Sequence, residues 1–482
     1  SHDGQSTLLK RQYRYDAAGQ LTNIHDSRRG PLEYQYDPVG RLLKATSRLG
    51  VETFAFDPAG NLLDQKSQEL NRPLEADPRR NKLMDNLLRE YAGTHYKYDE
   101  RGNLIHRLHN GSHAHFSWDL FDRLTGYNDD KLKVDYSYDA LGRRLHKHSV
   151  AHFWDRPEAG TGWNQLQRAK RQRELGCGFT LFGWDGDTLA WESSPPRDDG
   201  DTGRTVHYLY EPGSFVPVAQ ALRKSPIRLH KQPDWSQREY DFDQDPLWHT
   251  EVKPQAFDAI AWYQCDHLGT PMELTDEQGN VAWAGQYKAW GEVKEERSDW
   301  AKQHGLSNPI RFQGQYHDHE TGLHYNRHRY YDPEAGKFLS QDPISYAGGV
   351  NLHLYASNPV SWVDPLGLTC GLWRRASLRE IRRRLGIPLT QQPINQKMVR
   401  LTNRDGESIL DENRRPIRSR ELTYRVNGRD IIVQDHSAGH YYGEGGVGDQ
   451  PPHHNVRPID NPRTGSVDGM EDHYYFNCRN KK

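Results

Sequence analysis

Aromatic and polar residues alternate in short runs along the first third of the chain, and each run ends in Asp. The unit is aromatic-x-aromatic-Asp-x-x-Gly-x-Leu. It occurs as Tyr13-Arg14-Tyr15-Asp16 with Gly19 and Leu21, and again from Tyr34 to Leu42, Phe54 to Leu62, Tyr96 to Leu104 and Tyr136 to Leu145. A weaker copy runs from Phe116 through Trp118 and Asp119 to Leu124. Period-two alternation predicts a strand with one covered face. Asp followed by x-x-Gly predicts a turn, because the carboxylate caps local backbone and Gly takes positive φ. The next strand returns antiparallel, so each unit is half a hairpin. One hairpin is marginal in water, and the units must lie side by side in a long sheet to bury anything. From about 150 to 260 the pattern is less regular, and polar, Pro/Gly-rich parts such as Ser193 to Gly203 read as loops.

This pattern accounts for an unusual composition. Hydrophobic residues make up only 34% of the 482, yet aromatics reach 11%, with 26 Tyr and 13 Trp. A sheet surface lined with Tyr and Trp, rather than a dense Leu/Ile core, gives that profile. The length predicts two or more domains. Cys177, Cys265, Cys370 and Cys478 are far apart and form no CxxC pair, which speaks against a cysteine zinc site or a disulfide framework. There is no 18-residue apolar run, hence no membrane segment, and no signal peptide. The chain opens in mid-pattern, as a fragment of a longer protein would.

The most specific stretch follows Trp262. It contains Tyr263-Gln264-Cys265-Asp266-His267-Leu268-Gly269-Thr270-Pro271, Glu320-Thr321-Gly322-Leu323-His324-Tyr325-Asn326 and Gly336-Lys337-Phe338-Leu339-Ser340-Gln341-Asp342-Pro343. It closes with Asn358-Pro359 and Asp364-Pro365-Leu366-Gly367-Leu368. The repeats resemble the YD/Rhs repeats of bacterial Rhs proteins, teneurins and Tc-toxin C components. The later stretch resembles the Rhs-associated core that ends in PxxxxDPxGL, and every fixed position of that pattern is present from Pro359 to Leu368. The resemblance implies a mainly β protein: a YD-repeat spiral β-sheet shell, or hollow cocoon, over 1–260, the Rhs-associated core over 261–368, and a small α+β toxin domain over 369–482.

It also implies self-cleavage at Leu368–Thr369, with Asp342 and Asp364 matching the family's aspartyl-protease-like pair. Two neighbouring carboxylates cannot both ionise. The ionised one can activate water while the protonated one polarises the scissile carbonyl. Such a pair titrates as a unit, which leaves acid and base unassigned. Taken singly, each Asp-Pro would be a turn residue; the combined pattern gives them a role.

Charge changes sign after Leu368. Residues 369–482 carry 20 Lys+Arg against 14 Asp+Glu, while the remainder carries 44 against 52. A basic cargo makes nucleic acid a plausible target. The run Arg374-Arg375, Arg379 and Arg382-Arg383-Arg384 reads either as a solvated helix face or as a phosphate contact. Chemistry-bearing residues cluster further on. The apolar Ile431-Ile432-Val433 leads into Asp435-His436-Ser437-Ala438-Gly439-His440, then a Gly-rich loop, His453-His454-Asn455-Val456-Arg457 and Glu471-Asp472-His473. Five histidines beside Asp and Asn fit metal-assisted phosphodiester hydrolysis.

This cluster resembles the HNH/endonuclease VII-like (His-Me finger) toxin domains found at Rhs C-termini. The resemblance implies His440 or His436 as general base, Asn455 as its orienting residue, and Asp435, His454 and His473 as ligands of a divalent metal (Mg²⁺, Mn²⁺ or Zn²⁺). Arg457 would bind the scissile phosphate bidentately. The family's closing helix with a third His has no clear counterpart, since Glu471 to Phe476 is compatible with a strand. A metal-independent RNase using a His pair on the 2′-OH is the main competitor. An ADP-ribosyltransferase fits less well, for want of a Ser-Thr-Ser strand or a Glu-x-Glu pair. A surface or adhesion YD-repeat protein with no toxic activity is the reading from a different class, and the charge reversal at Leu368 argues against it. The resemblance further implies a nucleic-acid substrate (DNA before RNA), a cognate immunity protein, and secretion through a type VI spike (VgrG/PAAR) with a chaperone. The toxin would then act in the target-cell cytoplasm.

Overall fold

The computed structural model describes residues 9–475, apart from 17–18, 58–59, 64–86, 197–201, 250–254, 346–350, 357, 369–377, 379–380, 383, 389–390, 401–407, 409–415, 417, 437–452, 463–464 and 471–472. The chain divides into two compact units. The first comprises 1–6, 55–341 and 365–367, and the second 7–54, 342–364 and 368–482. The first holds a 15-stranded antiparallel sheet from Glu90–Tyr91 to Val293–Arg297, in which each strand pairs with its neighbours in sequence. It also holds a four-stranded sheet from Gln315–His317 to Lys337–Phe338. The second holds two five-stranded meanders, one from Arg11–Tyr15 to Gly50–Thr53 and one from Asn395–Arg400 to His473–Tyr475. The protein is mainly β, as the alternation predicts, and no described sheet closes on itself. No helix among the described residues is long and apolar enough to cross a membrane.

The Asp-x-x-Gly turn is one geometry repeated. At Asp37, Oδ1 accepts the backbone N–H groups of Val39 (3.1 Å) and Arg41 (2.8 Å), and Gly40 N–H bonds back to the Asp37 carbonyl at 3.0 Å. Asp99, Asp119 and Asp139 cap in the same way. The weaker copy works because Asp122 takes the glycine's left-handed conformation, at φ 57°. The residue four after each Asp completes the turn: Arg41, Arg123 and Arg143 reach Oδ2 through Nε at 2.7, 2.7 and 2.6 Å. Burial pushes the Asp139 carboxyl up, but hydrogen bonds from the Arg143 backbone and side chain outweigh it and hold the group below the ordinary carboxylate range. Asp266 and Asp276 build the same turn, two copies that the sequence pattern did not single out.

The aromatic just before each Asp has a polar task as well. Tyr36, Trp118, Tyr138 and Trp184 donate to the backbone carbonyls of Leu21, Leu104, Leu124 and Arg144 at 2.5–2.7 Å. Each acceptor begins an earlier returning strand, so the bond ties one unit to another. Phe could fill the space but could not donate.

Two sequence expectations are corrected here. In the Tyr136 copy the Leu position, five residues after Asp, is Arg144 and not Leu145: Arg144 pairs with Tyr138 as Leu124 pairs with Trp118. Arg144 is 1% exposed and Leu145 38%. The buried guanidinium is stabilised by Asp318 at 2.5 Å and by the rings of Phe182 and Tyr325, 4.4 and 4.6 Å away. Lys147 joins the network, 3.1 Å from Asp318 and 2.7 Å from Glu320. Second, the irregular stretch holds a helix, Thr161–Glu174, and four strands, Phe179–Asp185, Thr188–Ser194, Arg204–Tyr210 and Pro217–Arg223. Ser193 and Ser194 thus end a strand. Alternation fails in Pro217–Arg223 because consecutive residues from Ala219 to Leu222 are all buried, which covers both faces and erases period two.

Candidate active sites

The DPxGL segment is a turn fitted closely to its surroundings. Within the first unit, a side chain at Gly314 (φ 77°) would meet the Pro365 carbonyl oxygen at 2.0 Å, so only Gly admits the turn. Arg329 donates Nε to the Gly367 carbonyl, and His328 N–H donates to the Leu366 carbonyl at 3.1 Å. Within the second unit, Asp342 and Asp364 are both buried. Asp364 Oδ1 accepts the backbone N–H of Leu368 at 3.0 Å, which sets a carboxylate against the residue on the N-terminal side of the expected scissile bond. Asp342 Oδ1 caps the N–H of Ile344 at 3.0 Å. Thr369 lies outside the described residues.

The 395–475 sheet is held by Leu422, Tyr424, Ile431, Val433 and Val456, packed with Ile381 and Ile387. Helical backbone is described at 378, 381, 382 and 384. Arg382 of the basic run is used structurally: it donates to the Pro388 and Gln391 carbonyls at 2.5 and 2.6 Å and lies 5.5 Å from the Tyr424 ring. For this arginine the phosphate reading is replaced by a packing role.

Two polar rows cross the sheet next to its apolar centre. In one, Arg420 is opposite Asp435, and Asp435 is opposite His454. Asp435 and His454 are 4% and 1% exposed. His454 Nε2 is 3.9 Å from Asp435 Oδ1, and Arg420 is 3.5 Å from Oδ2. Val433 and Val456, two positions along, share this face and belong to the core. In the second row Lys397, Glu421, Gln434, Asn455 and His473 stand opposite one another in turn. Glu421 forms an ion pair with Lys397 at 3.0 Å and accepts a hydrogen bond from Gln434 at 2.8 Å. Arg457 is buried and donates to the Gly465 carbonyl at 3.0 Å.

The structure thus joins Asp435 and His454, while Asn455 and Arg457 take the alternate pleat and 473 occupies the Asn455 register position. His436 pairs with His453 at the strand end. The side chains of His436 and His473, and the whole of His440, lie outside the described residues. Residues 473–475 form a strand, so the closing element of this domain is β among the described residues. Arg420, Glu421 and Gln434 were not singled out from the sequence. The charged start of the strand Arg418–Val426, against an otherwise apolar run, was the available signal.

Three family models match the chain. Residues 4–152 match the teneurin YD-shell, 260–297 the RHS protein family, and 408–476 the HNH/Endo VII superfamily nuclease toxins. The chain belongs to the Rhs polymorphic toxins. The last match spans both polar rows of the Rhs chain apart from Lys397. Similar proteins include the toxin protein Tse5 of Pseudomonas aeruginosa, 34% identical over 74% of this chain and 27% of that protein. The double-stranded DNA deaminase toxin A of Burkholderia cenocepacia is 35% identical over 75% and 22%. The probable deoxyribonuclease RhsB of Dickeya dadantii is 27% identical over 97% and 29%. The chain therefore spans less than a third of each of these relatives.

Proposed function

We propose that this Rhs chain encloses and releases a C-terminal antibacterial nuclease, with the three-part division 1–260, 261–368 and 369–482. The observation that carries the nuclease reading is the buried Asp435–His454 pair inside the segment matched by the nuclease-toxin family. A carboxylate oxygen and an imidazole nitrogen are the donor pair that a divalent ion accepts. Their 3.9 Å separation is about 0.5 Å wider than a tetrahedral ion at bond lengths of about 2.0–2.2 Å needs, so the two side chains would draw together on binding. Asp435 and His454 would hold it, and when bound it would supply charge stabilisation for phosphodiester cleavage. Arg420 keeps the second Asp435 oxygen engaged and so fixes the carboxylate. His440 or His436 would act as base, with Asn455 orienting it and Arg457 binding the scissile phosphate, both from the pleat opposite Asp435 and His454.

Release is by hydrolysis of Leu368–Thr369, with Asp342 and Asp364 as the acid–base pair. The bond from the Leu368 N–H to Asp364 supports this. DNA is the preferred target, with support from the deoxyribonuclease name of a relative that matches nearly the whole chain. The chain is secreted, a type VI spike and chaperone deliver it, the toxin acts in the target cytoplasm, and an immunity protein protects the producer. The test is digestion of plasmid and of total RNA by the purified chain with Mg²⁺, Mn²⁺ or Zn²⁺. Plasmid should be cut, and EDTA or His454→Ala should abolish cutting. Intact plasmid with degraded, EDTA-insensitive RNA would replace this reading with a metal-independent RNase.

A further inference from the structure

Three histidines converge on the exposed face of the hairpin formed by Leu104–His109 and Ser112–Trp118. Asn110 (φ 48°) and Gly111 (φ 81°) close it as a two-residue turn with both central residues left-handed, the geometry that matches strand twist and pins register. In that register His106 faces His115 directly, and His113 lies two residues nearer the turn. Ala114 and Phe116 take the buried pleat, which leaves His113 and His115 on the open one.

The donor nitrogens of all three rings lie within 4.8 Å of one another. His106 Nε2 and His113 Nδ1 are only 2.9 Å apart, and the His106 ring stacks on His115 with centroids 4.7 Å apart. Imidazoles on a tetrahedral ion, at metal–nitrogen distances of about 2.0–2.1 Å, need nitrogens about 3.3 Å apart. Two of the three are already near that spacing, and side-chain rotation alone can bring in the third.

We propose that His106, His113 and His115 form a binding site for a borderline divalent transition ion, of the Zn²⁺, Ni²⁺ or Cu²⁺ class, with water completing the shell. An all-imidazole donor set selects these ions over Mg²⁺ and Ca²⁺, which take oxygen ligands. The bound ion cross-links two strands of the YD sheet and is separate from the ion assigned to Asp435 and His454.

The test uses the full chain, stripped with EDTA and desalted. It is titrated with Zn²⁺ against a chromophoric chelator, and with Co²⁺ while visible absorption is recorded. Wild type should bind two equivalents, one at each site, and one equivalent with a tetrahedral Co²⁺ spectrum should persist in His454→Ala. His113→Ala and His115→Ala should each weaken it at least about 10-fold, since even supporting residues of a metal site act on that scale. Both histidines are exposed, so melting of these variants in EDTA should match wild type, which checks that they fold. Zn²⁺ affinity unchanged in His113→Ala and His115→Ala, or binding lost only in His454→Ala, would overturn the proposal. Mg²⁺-dependent plasmid cutting should be intact in His113→Ala, so the fate of the nuclease reading is read separately.

Discussion

The Tyr138 hydroxyl donates to the Leu124 carbonyl oxygen at 2.6 Å, across two units of the repeat. The same bond recurs from Trp118 to Leu104 at 2.7 Å. Tyr138→Phe keeps the ring and strands a carbonyl, and Trp118→Phe strands a carbonyl with a smaller ring in place of the indole. Each should lower unfolding free energy by about 1–2 kcal/mol, the range for an unsatisfied buried acceptor. Chemical denaturation of the two variants and wild type checks this, and no loss in either would mean that the ring alone matters.

The Arg144–Asp318–Lys147–Glu320 network predicts asymmetry between single and paired changes. Asp318→Asn leaves Arg144 and Lys147 buried with one carboxylate and should cost about 3–5 kcal/mol. Arg144→Leu restores the repeat's Leu but leaves Asp318 with only Lys147. Combining it with Asp318→Asn should cost less than the sum of the two, as a double-mutant cycle would read.

Acid should weaken the first unit above the range in which its ordinary carboxylates titrate. Burial pushes His317 down to about 3 and His328 to about 4, and holds His324 well below its ordinary value. The unfolded chain takes up these protons near pH 6.5, the folded chain only far lower, so the unfolded state binds more protons in between. Stability should therefore fall as pH drops from about 6.5 to 4. Asp318 acts in a lower window: burial raises its carboxyl, but Arg144 and Lys147 outweigh that and hold it low, so its contribution is present above about pH 4 and lost below. Melting curves at pH 7 and pH 5 test the first window, and His324→Gln should flatten the slope.

Self-cleavage gives a mass prediction. Wild-type protein should separate into two pieces with the break after Leu368, and Asp364→Asn or Asp342→Asn should remain one chain. An intact wild type, or cleavage that survives Asp364→Asn, would remove the aspartyl mechanism.

The strands, the turns and the family were legible in the sequence because each unit states its own local geometry: Asp caps, Gly turns, and aromatics alternate. Arg144 was misplaced by one residue because a pattern that expects Leu passes over a charge, and its partner Asp318 is far away in sequence. The strand Pro217–Arg223 escaped notice because two covered faces leave no alternation. In the toxin domain the sequence named Asp435, His454, Asn455 and Arg457, but proximity in sequence could not show that they divide between two pleats. Arg420 and Glu421 became visible only through cross-strand register.

The 15-stranded sheet pairs every strand with its neighbour in sequence. Its contacts are therefore short-range along the chain, and no strand waits for a distant partner. Such a sheet can grow by adding one hairpin at a time as the polypeptide emerges from the ribosome, each new strand docking on the last. The same order in reverse allows it to be peeled from an end without breaking all its ladders at once.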